Sequence, residues 1–452
     1  MTTTAPTAGT AHRPWWGFTL ISAAQLMVLL DTTIVNIALP WAQRDLGLTD
    51  GDRQWVVTAY MLAFGSLLLL GGRIADALGR RRSLLIGVIG FGLASAAGGA
   101  ANGAVMLIAA RAAQGAFAAL LAPSTMALLA ALFTGQRERA RALGRFSAVA
   151  GAGGALGLVL GGVLVGYLDW RWCLYVNVPI AALVAVLTPV LLPDLPGHRG
   201  VRPDLIGAVL GIAGMAALIY GLDGGGSAGL LVAAVVLLAA FGVRQARAQQ
   251  PLLPPRVVAD RRRAGALSAV ALVMAAMFGT MLVMTYQLQG VMGFSPLATG
   301  IAILPGSALT MLTASQVSGR LLPRTGARPL VVPGMLLTAC GLVWLAQLTP
   351  DSTYLSAILP AQVLFGIGAG LVMTPSIGTA LTGVAPEDSG VASALLSTAQ
   401  QIGGSAGITL MNAVAAAAAT QVHGHSMAAY WGAGLALAGA VLAALLLGRR
   451  AD

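Results

Sequence analysis

Asp31 stands inside an apolar run that begins near Trp16 and closes at Pro40, and Arg111 stands inside a second such run. A carboxylate at membrane depth costs on the order of 2.5 to 3.5 kcal/mol on insertion scales, so it normally faces a bundle interior or a watery cavity. At 1.5 Å per residue Asp31 lies roughly 13 Å, and Arg111 roughly 9 Å, from the same face of the bilayer, so the two can meet. Two chemistries fit the pair. One is a neutralising ion pair that lets two charges exist in lipid. The other is an acid that binds and releases a proton while the cation lowers its proton affinity and desolvation raises it.

The elements that must hold these residues are membrane helices. Of the 452 residues 57% are apolar and 9% charged, with mean hydropathy +0.84, and apolar runs long enough to cross about 30 Å of hydrocarbon recur along the chain. A β-barrel would need alternating ten-residue segments, and none is present. Helices are expected near 15–40, 54–71, 83–101, 105–132, 142–166, 173–192, 205–222, 228–243, 264–289, 297–318, 329–348, 354–377, 389–413 and 428–447. The first is expected to be retained, since its apolar run is too long for a signal peptide. Cys173 and Cys340 read as packing residues, with no disulfide framework and no metal site.

The arginines test this topology. Every basic residue is Arg; clusters at 73–82, 137–145, 199–202, 244–263, 320–328 and 449–450 fall on one side with Arg13, and only Arg44, Arg53 and Arg171 on the other. By the positive-inside rule both termini are cytoplasmic. Arginines at an anionic leaflet account for the net charge of +11 without nucleic acid.

The chain also echoes itself. GRIADALGR at Gly72–Arg80 is answered by GRLLPRTGAR at Gly319–Arg328, and Ala122-Pro123-Ser124 by Thr374-Pro375-Ser376. Offsets near 250 residues imply a six-helix bundle over 1–195, an inserted helix pair and basic linker over 196–263, and a second six-helix bundle over 264–452. Repeats joined in this way place a binding site at their interface near the midplane.

LDTTIVNIALP (30–40), QWVVTAYML (54–62), GGRIADALGRRR (71–82), RAAQGAFAA (111–119), GALGLVLGG (154–162) and WRWCLYVNVP (170–179) stand in order. This set resembles the major facilitator superfamily, in particular its fourteen-helix drug:proton antiporter branch. The resemblance implies an all-α integral membrane fold. It further implies a gating loop after the second helix built from Gly72, Arg73, Asp76, Gly79 and Arg80, with Asp76 bonding a helix N-terminus of the other half. Gly153, Gly157, Gly161 and Gly162 match the antiporter motif between the halves. Two departures stand out: Leu158 occupies the motif's usual proline position, and Pro323 stands where the repeat would match Asp76.

Substrate contacts are sought among uncharged polar and adaptable apolar residues in the spans: Gln25, Asn36, Gln114, Gln287, Gln289, Gln362 and Gln400, with Met274, Met277, Met281 and Met284 as a stripe. Interhelical bonding and packing explain the same residues equally well. Asp223 reads as an interfacial acid, and His423 and His425 fall in the last outer loop. The expected function is proton-coupled export of small amphipathic compounds from a bacterial cell across its cytoplasmic membrane. The protein is expected to be a monomer that works without cofactor or metal, driven by the proton gradient. Export of a lipid or native metabolite, or proton symport or facilitated passage on the same fold, are the alternatives. A membrane enzyme would need nucleophiles, bases or ligands gathered at one depth, and none gather.

Overall fold

The computed structural model describes residues 13–133, 136–194, 197, 204–222, 228–248, 251, 259–349, 352–382, 384 and 389–448. Among them fourteen long helices and no strand form. They are α1 (Arg13–Leu46), α2 (Asp50–Leu78), α3 (Arg80–Gly99), α4 (Ala104–Leu132), α5 (Gln136–Tyr167), α6 (Asn177–Leu191), α7 (Leu205–Leu222), α8 (Ala228–Arg247), α9 (Arg261–Tyr286), α10 (Pro296–Gln316), α11 (Arg328–Leu345), α12 (Leu359–Leu381), α13 (Ser389–Ala416) and α14 (Gln421–Leu446). Ten helices are long and apolar enough to cross a bilayer by length and composition. In lipid this is the economical answer, because a helix satisfies its own backbone groups.

The far face of the molecule is the one that carries the α1–α2 turn, between Leu46 and Asp50. Helix starts are fixed locally. Thr49 caps α2 by accepting from the Asp52 N–H while the Asp52 side chain accepts from the Thr49 N–H, a reciprocal box worth about 1 kcal/mol. Ser295 caps α10 by accepting from the Ala298 N–H, and Thr420 caps α14 by accepting from the His423 N–H. Gly79, at φ 93°, provides the left-handed backbone that lets α2 turn directly into α3, and Gly326, at φ 78°, does so in the repeat.

Helices pair in the same way twice. α1 packs on α5 and α6, α2 and α3 on α4, and α3 on α6; α9 likewise packs on α13 and α14, α10 and α11 on α12, and α11 on α14. Across the two bundles α2 meets α13 and α5 meets α10. The inserted α7 and α8 pack on each other, and α7 rests on α2 and α13. Asp204 holds this pair: it accepts from the Gly207 N–H at the start of α7 and from Arg244 and Gln245 of α8.

Several boundaries correct the sequence reading. The gating motif expected in a loop is helical through Leu78, so Gly72 and Arg73 lie in the last turns of α2 and only Gly79 makes the turn. Apolar Ile74, Ala75, Ala77 and Leu78 and the absence of a breaker before Gly79 let the helix run on. Arg53, assigned to an outer loop, sits in the first turn of α2 and is largely buried. α14 begins at Gln421 rather than near 428, because Thr420 supplies a cap, so His423 and His425 are helical. His423 is exposed, whereas His425 is 8% exposed. Asp223 and the side chains of Asp76 and Pro323 lie outside the described residues.

Candidate functional site

The core of the first bundle holds a knot of buried polar side chains. Asp31 of α1 is 0% exposed and Arg111 of α4 1% exposed, with Arg111 Nη1 2.5 Å from Asp31 Oδ2. Asp31 Oδ1 accepts from Gln114 Nε2 and from Asn177 Nδ2, each at 2.9 Å. Arg111 donates through Nε to the Val56 carbonyl of α2 at 3.0 Å and through Nη1 to Gln114 Oε1 at 2.8 Å, and its guanidinium lies 4.5 Å from the centre of the Tyr60 ring. Gln114 also donates to Ser95 Oγ of α3 at 2.7 Å. Helices α1, α2, α3, α4 and α6 are thereby tied to one carboxylate.

The arrangement has a chemical consequence. Asp31 Oδ1 accepts two hydrogen bonds and Oδ2 one, so the carboxylate is held by donors from α4 and α6 together. Neutralising the acid would weaken its bonds to α4 and α6 at once. Removing one partner alone leaves a buried charge uncompensated, at about 3–5 kcal/mol. A desolvated cation over an aromatic ring adds about 2 kcal/mol.

The matching place in the second bundle is built on the same backbone plan with different side chains. Gln362 of α12 donates through Nε2 to the Ala302 carbonyl of α10 at 2.9 Å, as Arg111 does to Val56. Its Oε1 accepts from the Gly306 N–H at 3.1 Å. Gly306 lies four residues after Ala302, as Tyr60 lies four after Val56. Four residues further along each bonding helix, Gly115 presses on the Tyr60 carbonyl and Gly366 on the Gly306 carbonyl, where a Cβ would collide with backbone. Gly306 thus occupies the position of Tyr60, and no ring fills the space. A cavity is left, lined by Met277, Thr280, Met281 and Met284 of α9, Ile303, Gly306, Ser307 and Thr310 of α10, Gly341, Leu342 and Leu345 of α11, and Ala361, Gln362 and Phe365 of α12.

The far face is laced across the bundles. Arg53 Nη2 donates to Asn412 Oδ1 of α13, Asn412 Nδ2 donates to Gln54 Oε1 at 2.9 Å, and Tyr286 donates to Gln43 Oε1 at 2.8 Å. Arg53 also lies 4.3 Å from the centre of the Tyr286 ring. Gln289 reaches the Ile37 carbonyl at 3.3 Å, and deeper in, Thr398 donates to the Gly65 carbonyl at 2.9 Å.

Only some of the expected residues fall in these three places. Asp31, Arg111 and Gln114 share the knot; Met281 and Gln362 line the cavity, and Met274 is packed in the bundle core away from it. Gln287 bonds His425 Nδ1 through Oε1 at 2.7 Å. Gln25 accepts from Thr125 at 3.5 Å, while Asn36 donates to the Thr32 carbonyl of its own helix and its Oδ1 is buried without a partner. Arg73 donates to the Pro251 carbonyl in the linker, and Arg80 begins α3. The glycines of α5 correct an expectation: Gly153, Gly157 and Gly161 press on α1 inside their own bundle, and only Gly162 presses on Pro296 and Leu297 of the other. Leu158 packs in the apolar cluster that joins Ile37 to Met281, Met284 and Ile303 across the halves.

Sequence reading missed Asn177, Tyr60, Ser95 and Asn412, and placed His425 in a loop. Asn177 and Tyr60 lay within the motifs WRWCLYVNVP and QWVVTAYML, and that was the available signal.

Residues 21–408 match the family model described as Major Facilitator Superfamily. The chain is 47% identical over 470 aligned residues to the puromycin resistance protein pur8 of Streptomyces alboniger, covering 98% of this chain and 93% of that one. It is 40% identical to the cephamycin export protein CmcT of Amycolatopsis lactamdurans, covering 87% and 83%. A crystal structure of an auto-inhibited POT family peptide transporter superposes with a TM-score of 0.71 at 19% identity, over 97% of this chain and 98% of that one, a likeness of fold.

Proposed function

This chain belongs to the major facilitator superfamily, and we propose that it exports an antibiotic or related natural product from a bacterial cell in exchange for protons. It is a multi-span membrane transporter of small molecules, not an enzyme. Relatives named for puromycin resistance and cephamycin export support the cargo class. The observation that carries the coupling is the Asp31 knot: an acid 0% exposed that is paired with Arg111 and bonded to amides of α4 and α6, so that neutralising it weakens the ties among these helices.

In this reading the arginine-rich face is cytoplasmic, so the laced far face is external and the structure is closed to the outside. Protonation of Asp31 loosens the tie between α1, α4 and α6, and the first bundle then reorients against the second. Release of the proton to the cytoplasm restores the Arg111 pair. Such a cycle needs only that the two states differ in their proton and substrate affinities.

The test is a susceptibility panel of toxic small molecules, puromycin and a cephamycin included, in cells with the wild-type protein, with Asp31→Asn, and without either. Protection by the wild type and loss of protection in Asp31→Asn at equal membrane abundance is expected. Full protection by Asp31→Asn would remove Asp31 from the coupling.

A further inference from the structure

The cavity of the second bundle is walled by side chains of four helices, α9 to α12. Its origin is the absence of a ring at Gly306, where Tyr60 fills the first bundle. No ionisable side chain lines it. Most of its wall is apolar, and three methionines on one helix make that wall adaptable.

One polar group in it is unsatisfied. Thr280 is 4% exposed, and its hydroxyl has no partner. Helical threonines ordinarily bond back to the carbonyl four residues earlier. Thr285 does so to Met281 at 2.9 Å, Thr310 to Gly306 at 2.9 Å and Thr338 to Gly334 at 3.0 Å. Thr280 instead lines the cavity with its hydroxyl unpaired. A buried hydroxyl left without a bond costs about 1–3 kcal/mol. The amide of Gln362, by contrast, is already bonded at both ends.

We propose that this cavity is the seat of the cargo's uncharged apolar portion, an aromatic or alicyclic ring system that presents one hydrogen-bonding group to Thr280 Oγ1. The inference rests on the export reading for its meaning, though not for the binding itself. Access follows from the packing: Met281, Met284 and Ile303 form the wall toward the other half, where Ile37 and Leu158 press on them. Rocking of the halves lifts that cover, and the flexible methionines then open the wall. A cation finds no counter-charge in the cavity and is disfavoured there.

The experiment is a fluorescence titration of the purified full chain, without a gradient, using the neutral probe N-phenyl-1-naphthylamine and the monocation ethidium. Saturable one-to-one binding of the neutral probe is expected. Thr280→Val should weaken it about fivefold, Thr280→Ser should retain it, and Ser307→Trp, which fills the space, should reduce it at least tenfold. Ethidium should bind equally to wild type and Ser307→Trp. Thr310→Leu serves as a second filling variant if Ser307→Trp does not fold, and each variant is admitted on its melting temperature. Wild-type binding of the neutral probe by folded filling variants overturns the inference, as does ethidium binding that either filling variant abolishes. Loss of export in Asp31→Asn beside unaltered binding in filling variants removes the cavity and leaves the coupling. Intact export in Asp31→Asn beside cavity-dependent binding does the reverse.

Discussion

At equivalent places in its two bundles the protein puts opposite things: in the first, an acid, a guanidinium, two amides and a tyrosine ring packed to zero exposure; in the second, a glycine, a satisfied glutamine and empty space. The backbone bond from α4 to α2 and its twin from α12 to α10 differ by only 0.1 Å. The repeat therefore conserves helix geometry and leaves the contents free. A half whose centre is charged can answer protons, and a half whose centre is apolar and hollow can hold apolar cargo. Duplication supplies one scaffold twice, and in the proposed cycle side chains at a few positions divide the labour.

The largest effect is expected where the comparison is broken outright. Arg111→Met leaves Asp31 buried and unpaired, and should destabilise the first bundle by about 3–5 kcal/mol, read as a fall in melting temperature. Adding Asp31→Asn to it should recover most of that stability but not export, which separates the pair's structural role from its coupling role. Next, Tyr60→Ala should give the first bundle a hollow like that of the second, at a cost of about 3–5 kcal/mol set by the cavity left behind. A thermal shift under 1 °C would mean that the ring is not what makes the two centres differ.

A smaller change sharpens the contrast between faces. Asn412→Ala removes the acceptor of Arg53 and the donor to Gln54, worth about 1–3 kcal/mol of closure. It should raise labelling of a Gln43→Cys probe by a membrane-impermeant thiol reagent. The smallest effect belongs to the inserted pair. Burial pushes the Asp204 carboxyl up, but the Gly207 N–H, Arg244 and Gln245 outweigh it and hold the group below its ordinary value of 3.8. Its contribution is complete above about pH 4 and is lost as pH falls through the lower folded value. The ring contact of Trp55 with Tyr220, at 5.8 Å between centroids, reports on α7. The fluorescence difference between wild type and Trp55→Phe should stay constant down to pH 4 and change below it, and Asp204→Asn should remove that change.

The pairing of Asp31 with Arg111 was legible because charge inside an apolar run is conspicuous, and counting from the loops gives its depth. The twofold packing of the helices was legible from motif echoes at offsets near 250 residues. Asn177 and Tyr60 were not, since a polar or aromatic residue in a span carries no mark of the direction it faces. The α5 glycines announced a close approach without naming the partner, and three of them serve α1. His425 was misplaced because polarity around His423 and Gly424 concealed the capped start of α14. The cavity was hidden for another reason: it is made by what Gly306 lacks, and that is visible only once Gln362 and Arg111 are seen making the same bond.

The division of labour meets its most direct test in everted membrane vesicles holding a preformed proton gradient, to which an exported compound from the susceptibility panel is added. The account predicts that the compound dissipates the gradient with wild-type protein and leaves it intact with Asp31→Asn at equal abundance. Dissipation by Asp31→Asn as large as by the wild type would contradict it.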